Sequence, residues 1–123
     1  MWVTVDKVQD GYKQLQSEET ASKIINFIKE SENIIAVDLS GSIVVSDAVN
    51  IIPFPDVLTR LCLLKTREKS LAYYYQSNID DNVAQCRAEY NKLIDEVRSG
   101  KVIISMSVEP ETPSAAQGSI NFG

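Results

Sequence analysis

The chain contains no histidine in its 123 residues. Histidine is the side chain that most often serves as general base and as metal ligand, so its absence argues against both kinds of site. The chain also lacks a glycine-rich phosphate loop, and no apolar run approaches the roughly 20 residues that span a bilayer. We therefore expect no enzymatic activity, no catalytic residue, no metal or cofactor site and no membrane partner.

Cysteine is scarce as well. Cys62 and Cys86 both fall within predicted helices and are far apart in sequence, which is typical of buried thiols rather than of a disulfide framework or a metal knuckle. Asp80 and Asp81 are adjacent, so on a helix they point in different directions and suit a helix start better than acid–base chemistry. The first residues lack the basic start and apolar stretch of a signal peptide, which predicts a protein made and kept in the cytoplasm.

Basic residues are outnumbered by acidic ones, 12 against 17, for a net charge of −5. Gripping nucleic-acid phosphates requires clustered Lys and Arg, so the charge balance argues against a nucleic-acid-binding protein. The charge balance is compatible with the lining of a channel through which DNA passes, because a negative surface repels the phosphate backbone. The length predicts one domain with a core of its own.

The apolar spacing predicts helices in the first half of the chain. Thr4 and Ser17 are helix caps, and the second predicted helix ends by Ser40–Gly41. Between Ser42 and Ile52 two β-branched runs flank Ser46-Asp47-Ala48, which predicts an extended loop or small hairpin.

A helical hairpin is predicted for the second half. Pro55 opens a helix that runs to about Gln76, and a second helix begins near Asp80–Asp81 and is capped by Gly100. Glu68 interrupts the apolar stripe of the first of these helices. The predicted core consists of Leu61, Leu64, Leu71, Cys86, Tyr90, Leu93 and Val97, packed against Ile24, Phe27 and Ile28.

The chain changes character after Gly100. Residues 101–108 have strand propensity, and residues 109–123 are rich in Pro, Ser, Ala and Gly. The sequence thus predicts an all-α fold, a small four-helix bundle over residues 1–100 with a β-like loop insert, followed by an extended C-terminal tail over residues 101–123.

The run Tyr73-Tyr74-Tyr75 has two equally weighted interpretations. Three consecutive aromatics cannot all face one core, so Tyr73 and Tyr74 either cover neighbouring helices or form a subunit interface, where tyrosine is enriched. Stacking on nucleic acid is a third possibility that lacks an accompanying basic groove.

Several stretches resemble the head–tail adaptor (connector) proteins of tailed bacteriophages. The matching residues are Ala21-Ser22-Lys23-Ile24-Ile25-Asn26-Phe27-Ile28, Pro53-Phe54-Pro55-Asp56-Val57-Leu58-Thr59-Arg60-Leu61, Ala72-Tyr73-Tyr74-Tyr75, and the helix from Arg87 to Lys101, which carries Tyr90, Leu93 and the ending Arg98-Ser99-Gly100-Lys101. The span from Ala21 to Lys101 that they mark out is about two-thirds of the chain. The insert at Ser42–Ile52 is longer and more β-like than in the simplest members.

The resemblance implies a structural protein of the virion neck, assembled in the host cytoplasm. Its protomers would form a homo-oligomeric, dodecameric ring between the portal protein and a downstream neck or tail completion protein, and genomic DNA would pass through without specific binding. Apolar segments that suit a self-contained bundle poorly are expected to form the contacts. The predicted assembly residues are Ile43, Val44, Val45, Tyr73, Tyr74, Val102, Ile103, Ile104, Ile120 and Phe122.

Three other functions remain as alternatives. A small helical regulatory or protein-binding module is the nearest. A nucleic-acid-binding helical protein and an enzyme using carboxylate chemistry are both disfavoured, by the charge balance and by the missing histidine.

Overall fold

The computed structural model describes residues 1–75 and 81–104, which form five α-helices and no strand. Helix α1 spans Val5–Gln9, α2 Glu18–Asp38, α3 Val45–Ala48, α4 Asp56–Tyr75 and α5 Asp81–Arg98, and one turn of 3-10 helix at Lys13–Leu15 connects α1 to α2. The all-α prediction is confirmed. The bounds of α4 and α5 agree with the predicted hairpin to within one or two residues.

Side chains cap the first two helices where the sequence predicts it. Thr4 Oγ1 accepts the Lys7 amide at 3.2 Å, and Ser17 Oγ accepts the Thr20 amide at 3.1 Å. Thr20 Oγ1 accepts the Ser17 amide in return, so the two residues form a capping box that satisfies otherwise orphaned donors.

Helix α4 is the centre of the molecule. It packs against α5 and α2 more extensively than any other pair of elements does. Contacts between Thr66 and Ser31 and between Tyr73 and Phe27 show that α4 runs antiparallel to α2. The ion pairs of Arg60 with Glu89 and of Glu68 with Arg87 show that α4 also runs antiparallel to α5. The C-terminal ends of α2 and α5 therefore lie beside the start of α4.

The core follows the predicted stripes with one exception. Leu61, Leu64, Leu71, Cys86, Tyr90 and Val97 are buried, as are Ile24, Phe27 and Ile28. Leu93 was predicted among them and is only half-buried, whereas its neighbour Ile94 is buried. Because α5 packs mainly on the single helix α4, only a narrow stripe of α5 is fully covered.

The prediction of a β-like insert at Ser42–Ile52 is wrong at its centre. The segment contains α3, where the amides of Ala48 and Val49 donate to the carbonyls of Val44 and Val45, both at 3.0 Å. Ile43, Val45, Val49 and Ile51 pack against the core around the buried Ala48. The segment thus has internal backbone partners and apolar contacts that the sequence analysis did not expect, because tertiary packing overrides β-propensity.

A leucine-to-alanine pair tests this assignment of faces. We expect Leu61→Ala to lower the free energy of unfolding by about 2 to 5 kcal/mol, since a fully buried leucine loses its transfer energy and leaves a cavity. Leu93→Ala should lower it less, because that side chain is half-buried. Urea unfolding measures both, with the exposed Ile103→Ala as the matched control. Equal losses at Leu61 and Leu93 would contradict the packing described here.

Candidate assembly surfaces

The ends of α2 and α5 are joined by polar contacts to one residue. Arg98 donates from Nε and Nη2 to the Asp38 carbonyl at 2.9 and 2.6 Å, and the Tyr90 hydroxyl donates to Asp38 Oδ2 at 2.6 Å. Burial, followed by the hydrogen bond to the Asp38 carboxylate, raises the pKa of Tyr90 well above its ordinary value. This contact fixes one end of the bundle.

Four large aliphatic side chains are exposed at that end: Val37, Val44, Ile52 and Ile103, with 61% to 81% of their surface accessible. Val37 lies in the last turn of α2, Val44 and Ile52 in the connection from α2 to α4, and Ile103 just after α5. We call these four residues the apolar end. Exposed apolar groups gathered in one region typically mark a contact site.

The structure divides the predicted assembly residues into two groups. Val44, Ile103 and Tyr73 are exposed, whereas Ile43, Val45, Tyr74, Val102 and Ile104 are half-buried and pack against the core. Ile120 and Phe122 lie outside the described residues. Val44 and Ile103 both lie at the apolar end, and Tyr73 and Tyr74 lie at the opposite end of the bundle.

Tyr73 and Tyr74 line an open groove of about 360 Å³. Its other lining residues come from the first half of α2: Glu19, Ser22, Lys23 and Asn26. We call these six residues the tyrosine groove. The sequence pattern points to the tyrosines but not to their partners on α2, which only the antiparallel packing of α2 on α4 brings to them.

Aromatic contacts organise the groove. The Tyr73 ring lies 5.6 Å from Phe27 and 5.0 Å from Tyr74, both in edge-to-face geometry. Lys23 Nζ lies 4.9 Å from the centre of the Tyr73 ring and 5.6 Å from that of Phe27, so its charge rests on two ring faces. Burial raises the pKa of Tyr74, with smaller contributions from Tyr73 and Glu19.

The outer face of α2 connects the tyrosine groove to the apolar end. Its exposed positions after the first turn are Ser22, Ile25, Asn26, Lys29, Glu30, Asn33 and Val37. Glu30 is paired with Lys69 of α4, so Lys29 is the main charge on this face. With Lys29 and Glu30 the face carries one charge of each sign among seven exposed positions.

The face of α4 and α5 is charged by contrast. Glu68, which interrupts the predicted stripe, is only 14% exposed and binds Lys65 at 3.0 Å and Arg87 at 2.9 Å. Lys65 also lies 4.2 Å from the centre of the Tyr90 ring. Beside them, Arg60, Glu89, Lys92, Leu93 and Glu96 line a smaller groove of about 250 Å³. The interruption at Glu68 thus marks an ion-pair network between two helices.

Neither a metal-binding cluster nor a membrane-spanning helix is found in the described residues. No group of three Cys, Asp or Glu side chains in 1–75 and 81–104 is placed to hold a metal ion. No helix in those ranges is long and apolar enough to cross a membrane.

Comparisons with protein-family models, with curated proteins and with solved structures find no match for this chain. The likeness to head–tail adaptors therefore rests on the residues quoted above and stays a prediction.

Both cysteines are free and buried, as the sequence predicts. Cys62 lies between α2 and α4, with Sγ 4.0 Å from the Ile28 carbonyl oxygen and 3.9 Å from Thr66 Oγ1. Burial raises the pKa of Cys62 from 9.0 to about 12 and also raises that of Cys86. Thiols are reactive as thiolates, so both are poor nucleophiles in the folded chain.

The Cys62 thiol predicts a loss of stability at alkaline pH. Between about pH 9 and 12 the unfolded thiol is ionised while the folded thiol keeps its proton, so the free energy of unfolding falls as pH rises. Urea unfolding across this range should show a shallower fall for Cys62→Ala than for the parent, because the variant lacks this proton. Identical pH dependence in the two proteins would contradict the raised pKa.

Proposed function

We propose that this chain is a structural adaptor that assembles into a homo-oligomeric ring in the neck of a tailed-phage virion. The ring, a dodecamer, would sit between the portal protein and a downstream neck or tail completion protein. In this proposal α1, α2, α4 and α5 form the four-helix protomer, and residues 101–123 form the extended tail, of which 105–123 lie outside the described residues.

The apolar end is the strongest support for this proposal. Val37, Val44, Ile52 and Ile103 are among the few large apolar side chains that the described residues leave mostly exposed, and all four lie at the end of the bundle where α2 and α5 end. Removing these side chains from water leaves no hydrogen-bonding group unpaired. Each fully buried aliphatic side chain stabilises the contact by about 1.5 to 3 kcal/mol. A protein whose task is to be held between other proteins needs such a surface.

The rest of the described surface supports a structural role by its composition. The titratable groups with clearly raised pKa values are tyrosines and buried cysteines, each explained mainly by burial. Basic side chains pair with acidic ones from other helices, as in Arg60–Glu89 and Lys69–Glu30. Such a surface suits protein contacts and a passage that does not hold DNA.

Lysine substitutions at the apolar end test the assembly. We expect Val44→Lys and Ile52→Lys to prevent oligomer formation, because each places a charge where the contact requires apolar surface. Sedimentation velocity gives the oligomer mass, and electron microscopy shows whether the particles are rings. Ala84→Lys, which adds the same charge at an exposed position in the first half of α5, is the matched control and should assemble like the parent.

A parent chain that remains monomeric at every concentration tested would overturn the adaptor proposal. The regulatory module would then be favoured, since the tyrosine groove offers a single chain a concave surface for a partner. Assembly of the two lysine variants into parent-like rings would instead show that the apolar end is not the contact.

The passive-conduit part of the proposal predicts weak DNA binding. Duplex anisotropy at about 0.15 M salt, where the screening length is about 8 Å, should show no tight binding by the parent. The double variant Asp95→Lys and Glu96→Lys places two further cations beside Lys92 on α5 and should bind more tightly, which controls for the sensitivity of the assay. Tight, salt-sensitive binding by the parent would contradict a passive channel.

A further inference from the structure

The chain turns back on its own core directly after α5. Gly100 has φ +84°, a left-handed conformation that glycine adopts without strain, and its amide donates to the Val97 carbonyl at 3.2 Å. The Val102 amide donates to the Glu96 carbonyl at 3.1 Å. Residues 101–104 are therefore held against the bundle at the apolar end.

Residues 101–104 alternate between inward and outward positions. Val102 and Ile104 pack against the core, whereas Lys101 and Ile103 are exposed. Lys101 and Ile103, which we call the outward pair, thus offer one cation and one β-branched apolar side chain to a neighbour.

The tyrosine groove has the complementary chemistry. It offers the half-exposed ring of Tyr73 as an apolar surface and Glu19 as an exposed carboxylate. Lys23 is the cation of the groove, but its ammonium lies over the rings of Tyr73 and Phe27. Glu19 is therefore the carboxylate of the groove that an incoming ammonium group would pair with.

The outward pair and the tyrosine groove lie at opposite ends of the same bundle, so one copy cannot close the contact on itself through its described residues. Two different patches that fit each other give head-to-tail association, which makes a ring if the rotation closes and a filament if it does not. The outer face of α2, with Ile25 and Asn33, runs between the two patches.

We propose that the outward pair of one copy docks in the tyrosine groove of the next copy, with Lys101 facing Glu19 and Ile103 lying on the Tyr73 ring. This contact rests on the proposed ring function and names the subunit interface that builds it. Its occupant is a second copy of the chain, selected by the charge complementarity of Lys101 and Glu19.

Charge reversal tests the contact between copies. Glu19→Lys and Lys101→Glu should each weaken assembly by roughly tenfold or more, because each sets like charges against one another. An equal mixture of the two variants should restore assembly, since copies that alternate around a ring juxtapose only opposite charges. Such restoration requires contact between chains, and an even-numbered ring such as a dodecamer can close with alternating copies.

Glu18→Lys is the matched control. Glu18 also lies in the first turn of α2 and carries the same charge, but it does not line the groove. This variant should assemble like the parent, although it carries the same change of charge as Glu19→Lys. Thermal melts of Glu18→Lys and Glu19→Lys show whether the change of charge at the start of α2 shifts the melting temperature of both variants equally.

Cysteine cross-linking gives a second measurement that does not depend on charge. A Glu19→Cys chain mixed with a Lys101→Cys chain should form a disulfide-linked heterodimer on oxidation, whereas a Gln85→Cys chain in place of the first should not. Cys62 and Cys86 are buried and do not compete.

The outcomes separate this contact from the ring function. Rings formed equally by both reversed variants, or a mixture no better than its components, would overturn the contact and leave the ring standing. Filaments restored by the mixture would support the contact and overturn the ring. A parent that never assembles would overturn both.

Discussion

The burial of α4 on two sides is the constraint on which the rest of the structure depends. Leu58, Leu61, Cys62 and Leu71 are completely buried on this one helix, and they are shared between α2 and α5. Apolar burial on the order of 25 cal/mol per Å² is the main favourable term in so small a domain. Because α2 and α5 contact α4 far more than each other, any change in α4 moves both outer helices at once.

Two arginines hold the ends of neighbouring elements in place through hydrogen bonds to backbone carbonyls. Arg67 of α4 donates to the carbonyls of Lys7, Val8 and Asp10 and lies 5.0 Å from the centre of the Tyr12 ring, which holds the N-terminal helix on the bundle. Arg98 does the same for the end of α2 through the Asp38 carbonyl. A planar guanidinium suits both positions because it reaches several carbonyl oxygens at once. The hydrogen bonds of Arg98 to Asp38 lie at the apolar end.

The charges of the chain are distributed unevenly over its surface. The α4–α5 side carries the ion pairs of Arg60, Glu68 and Arg87, while the outer face of α2 carries little charge. Exposed ion pairs contribute about 0 to 1 kcal/mol each, so this asymmetry has little value for stability. It has more value for recognition, since a face with few charges is cheap to desolvate and a charged face discourages wrong partners. The candidate contacts therefore concentrate on α2 and at the two ends of the bundle.

Local patterns in the sequence were sufficient to predict the helices, their caps and most of the core. Thr4 and Ser17 cap because their side chains reach amides three residues on, and the stripes of α4 and α5 follow the helical repeat; both are short-range effects. Three features could be decided only by the tertiary structure. Ala48 and Val45 pack on the core, so a β-branched segment forms a helix. Glu68 pairs with Arg87. Tyr73 contacts Phe27 and Lys23. Each depends on a neighbour 19 or more residues away or on burial against another element, and no local pattern in this chain specifies that proximity.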